Sequence, residues 1–276
     1  MLPLRDSTRR RHVPVITVAL IAANVLAFLF WQPTLRHEED AELAQQTFFW
    51  CHGQIPYELA HQVTLAESGP KGRVRIAQDY EVSLGGAQAL QTYLQRECPD
   101  KNIWLSILSS MFLHAGWLHL LGNMLFLWIF GDNVEDALGK IGYLGFYLLG
   151  GVAAGALQFV LAPGSTIPNV GASGAIAAIL GAYIVLYPRA RILTAVFFFL
   201  IALVELPAVV VLGLWFVLQL FQGVSGLAAD VNSGVAFWAH VGGFVFGVAV
   251  AFVFLRGRRR PTPSAFPTLP PRPDAW

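Results

Sequence analysis

The chain has 276 residues, 55% of them apolar and only 13% charged, with a net charge of +1. A composition this apolar excludes an ordinary soluble domain, and the near balance of charge offers no basic surface for nucleic acid. What remains is a polytopic helical membrane protein, because apolar runs recur at the length a helix needs to cross the hydrocarbon, about 20 residues.

Those runs lie at 13–31, 104–130, 141–162, 170–187, 192–222 and 235–255. The first follows Arg9, Arg10 and Arg11 and has no small-x-small cleavage site behind it, so it reads as a retained helix and not as a signal peptide. The fifth is too long: as one helix it would measure about 46 Å against a hydrocarbon core of about 30 Å. Glu205-Leu206-Pro207 interrupts it, so 192–204 is expected to be a re-entrant or interfacial piece and 207–222 the span. Six spans result. Basic residues collect before the first span, between the second and third (Lys140), after the fourth (Arg189, Arg191) and after the sixth (Arg256, Arg258, Arg259, Arg260), which puts both termini in the cytoplasm. The chain then divides into a cytoplasmic segment (1–12), the first helix (13–31), an extracytoplasmic loop (32–103), helices two to six (104–255) and a basic, proline-rich cytoplasmic tail (256–276). The tail's composition predicts disorder.

The extracytoplasmic loop holds Cys51 and Cys98, the only two cysteines, on the side where disulfides persist. Two readings stay open, a disulfide or two separate buried thiols. Gly53, Gly69-Pro70, Gly72 and Gly85-Gly86 break the segment, and 83–95 could form a short helix. A small cap is expected, without a large core of its own.

Chemistry is sought among polar side chains inside the apolar runs, where they are costly. The second span, entered from outside, carries His119 and Asn123 four residues apart on one helix face, with His114 at the interface on another face. Asp132, Glu135 and Asp136 fall in an expected cytoplasmic loop, 131–139, where capping or loop structure accounts for them. The fourth span opens on Ser173, hemmed in by Gly171, Ala172, Gly174 and Ala175. Taken alone, Ser173 reads as packing: Ser173, Ala177 and Gly181, like Gly174, Ala178 and Ala182, follow the spacing of a small-residue helix contact. The sixth span repeats that spacing at Ala239, Gly243 and Gly247 and carries His240 near its start. Two helices packed along these seams bring Ser173 and His240 to one depth, where the imidazole can take the hydroxyl proton. His119 and Asn123 enter at a similar level as donors to an oxyanion. No Asp or Glu lies in the spans there, so a Ser-His dyad is expected, with His240 oriented by packing and not by a carboxylate.

In this order and context the motifs resemble the rhomboid family of intramembrane serine proteases. They are H-A-G-W-L-H-L-L-G-N-M at 114–124, G-D-N-V-E-D-A-L-G at 131–139, G-A-S-G at 171–174 and A-H-V-G-G at 239–243. The resemblance implies an all-α, six-helix rhomboid-like bundle with a long first external loop. It implies Ser173 as nucleophile, His240 as base, and an oxyanion site from Asn123, His119 and the Ser173 backbone N–H. A structural role follows for His114 and a loop role for Glu135, with no cofactor or metal. The implied partners are transmembrane protein substrates in the lipid bilayer, admitted past the fifth helix and cut near the external face, at residues that are small or weaken a helix. Two features depart from the family's pattern. Some members stack an aromatic residue on the histidine from one turn after the serine, where this chain has Ala177, and the long first loop lacks a Trp-Arg pair.

Two other classes of function compete. A non-catalytic rhomboid-like binding or quality-control factor would need neither Ser173 nor His240. A transporter or metal carrier using His114, His119 and His240 would need acidic companions in the spans, which are absent. The expected setting is a bacterial inner membrane.

Overall fold

A computed structural model describes residues 1–8, 12–33, 41–68, 87–197, 201–229 and 236–255. The arginine clusters at 9–11 and 256–260, the glycines at 69, 72, 85 and 86, Asp230 and the proline-rich tail lie outside the described residues.

The chain opens with a strand, β1 (Leu2–Asp6), and then enters helix α1 (Val15–Leu26), which widens into a π turn at Ala27–Trp31. A helix start leaves unpaired N–H groups and a positive dipole end. Here the Glu135 carboxylate satisfies them from another part of the chain, accepting from Ile16 N at 3.0 Å, Thr17 N at 2.8 Å and Thr17 Oγ1 at 2.8 Å.

The cap follows as α2 (Ala41–His52), α3 (Pro56–His61), α4 (Leu65–Ser68) and α5 (Ala87–Glu97). Of the helix expected over 83–95, the part from Ala87 onward is observed and 83–86 lie outside the described residues. Proline at the first position starts α3, and Gln62 in a left-handed conformation (φ 55°) ends it. Trp50, Ile55, Leu65, Ala66, Leu94 and Cys98 form its small core. Cys51 and Cys98 are joined by a disulfide that ties α2 to α5, with Cα atoms 5.2 Å apart.

Helix α6 (Ile103–Ser109), whose start is capped by the Asn102 side chain accepting from Leu105 N at 2.9 Å, tightens into a 3₁₀ turn at Ser110–Phe112. The chain then bends by 80° into α7 (Trp117–Leu138). Gly139, at φ +75°, turns it directly into α8 (Lys140–Leu161). The loop expected at 131–139 is therefore the last turns of α7. Its polar residues looked like loop because several of their partners are remote in sequence: Glu135 caps α1, Asp136 Oδ1 meets His12 Nδ1 at 2.7 Å, and Asn133 Nδ2 donates to Asp6 Oδ2 at 2.9 Å.

At the centre stands α9 (Ser173–Leu186), only 14 residues long and buried at nearly every position after the first. It packs against α8 and against α11 (Phe237–Val250, extended by a π turn at Ala251–Leu255). The small-residue seams meet as expected. A Cβ at Gly243 would fall on the Gly174 carbonyl, one at Gly247 on the Ala178 carbonyl and one at Gly181 on the Phe244 carbonyl. Backbone thus touches backbone along the contact, the close approach that stabilises helices where lipid supplies no hydrophobic drive.

Between α9 and α10 (Ala208–Ala229) the structure departs from the hydropathy reading. The stretch expected as a re-entrant or interfacial piece, 192–204, is strand where it is described: β2 (Arg191–Phe197) and β3 (Ile201–Pro207) pair antiparallel, Arg191 opposite Pro207 through Phe197 opposite Ile201. β1 adds to the free edge of β2, giving the order β1-β2-β3. Apolar strands score as hydropathic as a span, and their third strand comes from the other end of the chain. Asp6, at the end of β1, fastens this sheet to the bundle by accepting from Tyr183 OH at 2.6 Å and from Asn133.

The whole is an apolar multi-helix bundle of a multi-pass integral membrane protein, with the sheet attached. Among the described residues, Lys140–Leu161, Ala208–Gly226 and Phe237–Leu255 are long and apolar enough to cross a membrane, and the bent pair α6–α7 makes a fourth candidate. Val15–Trp31 and Ser173–Leu186 are shorter apolar helices.

Candidate active site

Ser173 is the first residue of α9, so its backbone N–H belongs to the helix start, where no intrahelical acceptor exists. The turn before it depends on Gly171, at φ +127°, a conformation that side chains resist. Space demands glycine as well: a Cβ there would lie 2.9 Å from both Cε1 and Nε2 of His119 and 3.6 Å from Ser173 Oγ. The Gly171 N–H donates to Ser110 O at 2.8 Å, which anchors the turn to the end of α6.

His240, in the first turn of α11, faces the serine across the seam. Its Nε2 lies 2.7 Å from Ser173 Oγ. Its Nδ1 lies 2.7 Å from Gln219 Oε1, on α10. One turn before that glutamine, the Trp215 ring lies against the imidazole, centroids 5.9 Å apart and planes tilted by 40°. The expectation that packing alone orients His240 is corrected here, because a hydrogen bond does so. Sequence reasoning missed Gln219 because it looked only for carboxylates, although an amide amid the apolar residues of α10 was itself a signal.

His119 and Asn123 sit one turn apart on α7, on the side of the serine turn. His119 Nδ1 accepts from the Ala115 N–H at 3.3 Å, so the ring proton resides on Nε2, the atom that lies against Gly171. Asn123 is buried, and its Nδ2 has no acceptor among the described residues. A donor group left unpaired at that depth is costly unless something later uses it. His114 stands apart from the chemistry. It is fully buried, its ring meets His119 edge to face at 5.1 Å, and its backbone exchanges two hydrogen bonds with the Gln32 side chain, at 2.8 and 2.9 Å.

The cap also touches the segment that leads to the serine turn. Gln54 forms an isolated β-bridge with Asn169 and donates to Gly155 O at 3.3 Å, and Tyr57 N donates to Ser165 O at 2.9 Å. The segment leading to Ser173 is therefore held between the cap and α8.

A serine hydroxyl bonded to an imidazole and set at the head of a short buried helix defines a serine-nucleophile site built inside a membrane helix bundle. The chain belongs to the rhomboid family: the family model described as Rhomboid domain matches residues 101–257. It is 36% identical over 98 residues to Rhomboid-like protein 11, chloroplastic, of Arabidopsis thaliana, covering 36% of this chain and 33% of that protein. Rhomboid protein 1, mitochondrial, of Saccharomyces cerevisiae is 31% identical over 165 residues, covering 58% and 44%. Presenilin-associated rhomboid-like protein A, mitochondrial, of Danio rerio is 31% identical over 171 residues, covering 58% and 40%. The matches thus span a third to under half the length of these relatives.

Proposed function

We propose that this protein is an intramembrane serine endopeptidase that hydrolyses peptide bonds in or near transmembrane segments of other membrane proteins. The reading rests on one observation, the 2.7 Å hydrogen bond between Ser173 Oγ and His240 Nε2. Ser173 Oγ attacks the scissile carbonyl carbon while its proton passes to Nε2. The resulting oxyanion is met by the Ser173 N–H, by His119 Nε2–H and by Asn123 Nδ2. Collapse breaks the C–N bond as Nε2 returns the proton to the leaving amine. Water then opens the acyl-enzyme by the same route, giving its proton to Nε2 and restoring the serine hydroxyl.

In this reading the six apolar helical units are six spans, α6 and α7 counting as one, and both termini face the cytoplasm of a bacterium across its inner membrane. Helix α9 is about 21 Å long against a core of about 30 Å, which would leave Ser173 recessed below the external boundary with room above it for water. A helical substrate keeps its carbonyls hydrogen-bonded, so cleavage calls for small or helix-weakening residues near the cut. Access past α10 fits the bundle, because between Leu214 and Phe221 that helix turns large apolar side chains outward.

The test is cleavage of a reporter transmembrane protein by purified enzyme in liposomes, with Ser173→Ala and His240→Ala confirmed as folded. Loss of cleavage in both variants is expected. Persistent cleavage by folded Ser173→Ala would sink the mechanism.

A further inference from the structure

The dyad sits on α9 and α11, yet a third helix touches it. Gln219 Oε1 meets His240 Nδ1 at 2.7 Å, opposite the nitrogen that faces Ser173. A neutral imidazole carries one N–H, and its position decides whether the ring is a base toward the serine. An amide oxygen only accepts, so it selects the tautomer with the proton on Nδ1 and leaves Nε2 bare for the Ser173 hydroxyl. An apolar side chain at 219 would select neither tautomer, and the ring would lose its hinge.

Two further contacts make α10 a support and not a bystander. Trp215 covers the imidazole from the turn before, where Ala177 on α9 offers no aromatic surface, and Phe216 stacks on Phe244 of α11, centroids 4.6 Å apart. The group is an amide and not a carboxylate for a physical reason. A carboxylate at this depth would need its own cationic partner, and α9, α10 and α11 carry no Lys or Arg; the titratable group that acts on His240 from α7 is His119, an imidazole.

We propose that Gln219 is the positioning residue of the dyad, its amide oxygen fixing His240 in the Nδ1–H tautomer with Nε2 on Ser173. This rests on the serine-protease reading for its effect on rate, but not for the tautomer itself. Loss of the oxygen lowers kcat and leaves KM nearly unchanged, since Gln219 acts through His240. A glutamate in its place keeps the tautomer and adds a charge that favours imidazolium.

The experiment uses the full chain in liposomes with wild type, Gln219→Leu, Gln219→Met and Gln219→Glu. Three quantities are measured: labelling of Ser173 by a fluorophosphonate, kcat and KM for a reporter transmembrane substrate from pH 5 to 9, and the ¹⁵N spectrum of the histidine rings, with His240→Ala identifying the His240 signals. The Leu and Met variants are expected to lose about 10- to 100-fold in kcat and labelling rate, with mixed His240 tautomers. Gln219→Glu is expected to keep Nδ1–H and to move the acid limb of the pH–rate profile upward. Folded Leu or Met variants with wild-type rates and an unchanged Nδ1–H signal overturn the proposal, as does a Glu variant with an unmoved acid limb. If wild type neither labels nor cleaves, the protease reading fails, and the tautomer signal alone still decides for or against Gln219.

Discussion

The cap and the α9–α11 core belong to one chain but hold together by opposite means. Between α9 and α11 hardly any side chain intervenes, and stability comes from glycines that let carbonyls and Cα atoms touch. In the cap, only a handful of side chains form a core, and two strong links supplement it. One is the Cys51–Cys98 disulfide. The other is a buried ion pair, Lys101 Nζ to Glu58 Oε2 at 2.5 Å, with both side chains 2% exposed. Lys101 also donates to Trp50 O at 2.6 Å, and Glu58 Oε1 accepts from Leu65 N at 2.9 Å, so the pair joins α2, α3 and α4 to the start of α6. The lesson is about packing. An apolar helix bundle gains from closeness, whereas a cap with a small core gains from links that are expensive to break.

The largest stability effect should therefore come from the cap. Lys101→Met strands the Glu58 carboxylate in a buried site and is expected to cost about 3–5 kcal/mol, whereas the double change Glu58→Leu with Lys101→Met recovers most of it. Burial already pushes the Glu58 carboxyl above its ordinary 4.5, with Lys101 opposing that rise. Removing the lysine raises it further. A carboxyl whose folded pKa is raised holds its proton better folded than unfolded, so stability is greatest below 4.5 and falls as pH climbs through the folded value. Thermal unfolding of Lys101→Met from pH 4 to 8 should show Tm falling with pH, more steeply than in wild type. A pH-independent Tm would mean that the pair is not buried as described.

At Asn123 the comparable blow falls on rate and not on stability. Asn123→Ala removes a donor that pairs with nothing at rest, so Tm should hardly change while kcat drops about 10²- to 10³-fold at nearly constant KM. A drop in Tm without loss of kcat would make Asn123 a packing residue. Gly243→Ala probes the seam itself and should lower Tm as well as rate: the added methyl must push the Gly174 carbonyl away and carry His240 from Ser173, and displacement of about 1 Å is worth about 10²-fold in rate. Fluorophosphonate labelling reads both variants without a transmembrane substrate.

Next comes the disulfide. It closes a separation of 47 residues, for which chain entropy gives about 4 kcal/mol as an upper value, and residual structure in the reduced chain lowers the measured effect. Cys51→Ala with Cys98→Ala should lower the Tm of the cap and change kcat less than tenfold. If it instead abolishes labelling as fully as Ser173→Ala, the cap and the site are one unit, and the contrast drawn above is wrong.

What could be read from sequence divides along the same line. Ser173, His240 and the seams were legible because polar side chains are costly in lipid and four-residue spacings of small residues mark close helix contacts. His119 and Asn123 came from the same logic. Gln219 did not, because a neutral amide carries no sign of its partner 21 positions away. The disulfide stayed open because pairing is decided in space. The strands within 192–204 were not legible because β2 and β3 are apolar runs and β2 finds its second neighbour, β1, across the whole sequence. The end of α7 was misread as loop because two of its three charges serve distant elements, Glu135 on α1 and Asp136 on His12.

The smallest expected effect tests whether the two regions communicate. Asn102 caps α6, and the turn that ends α6 supplies the Ser110 carbonyl that anchors Gly171, two residues before the nucleophile. Asn102→Ala should cost about 1 kcal/mol, the ordinary worth of such a cap. If α6 is a rigid strut, its frayed first turn leaves Ser110 in place, because the turn at Ser110–Phe112 is held independently by Leu113 N donating to Ser110 O at 3.3 Å and by Ser110 Oγ donating to Ile107 O at 2.9 Å. Tm then falls by a few degrees and kcat stays within about twofold. A tenfold loss of kcat with that small change in Tm would show instead that fraying at Asn102 reaches Gly171, and that the cap sets the position of the serine turn through α6.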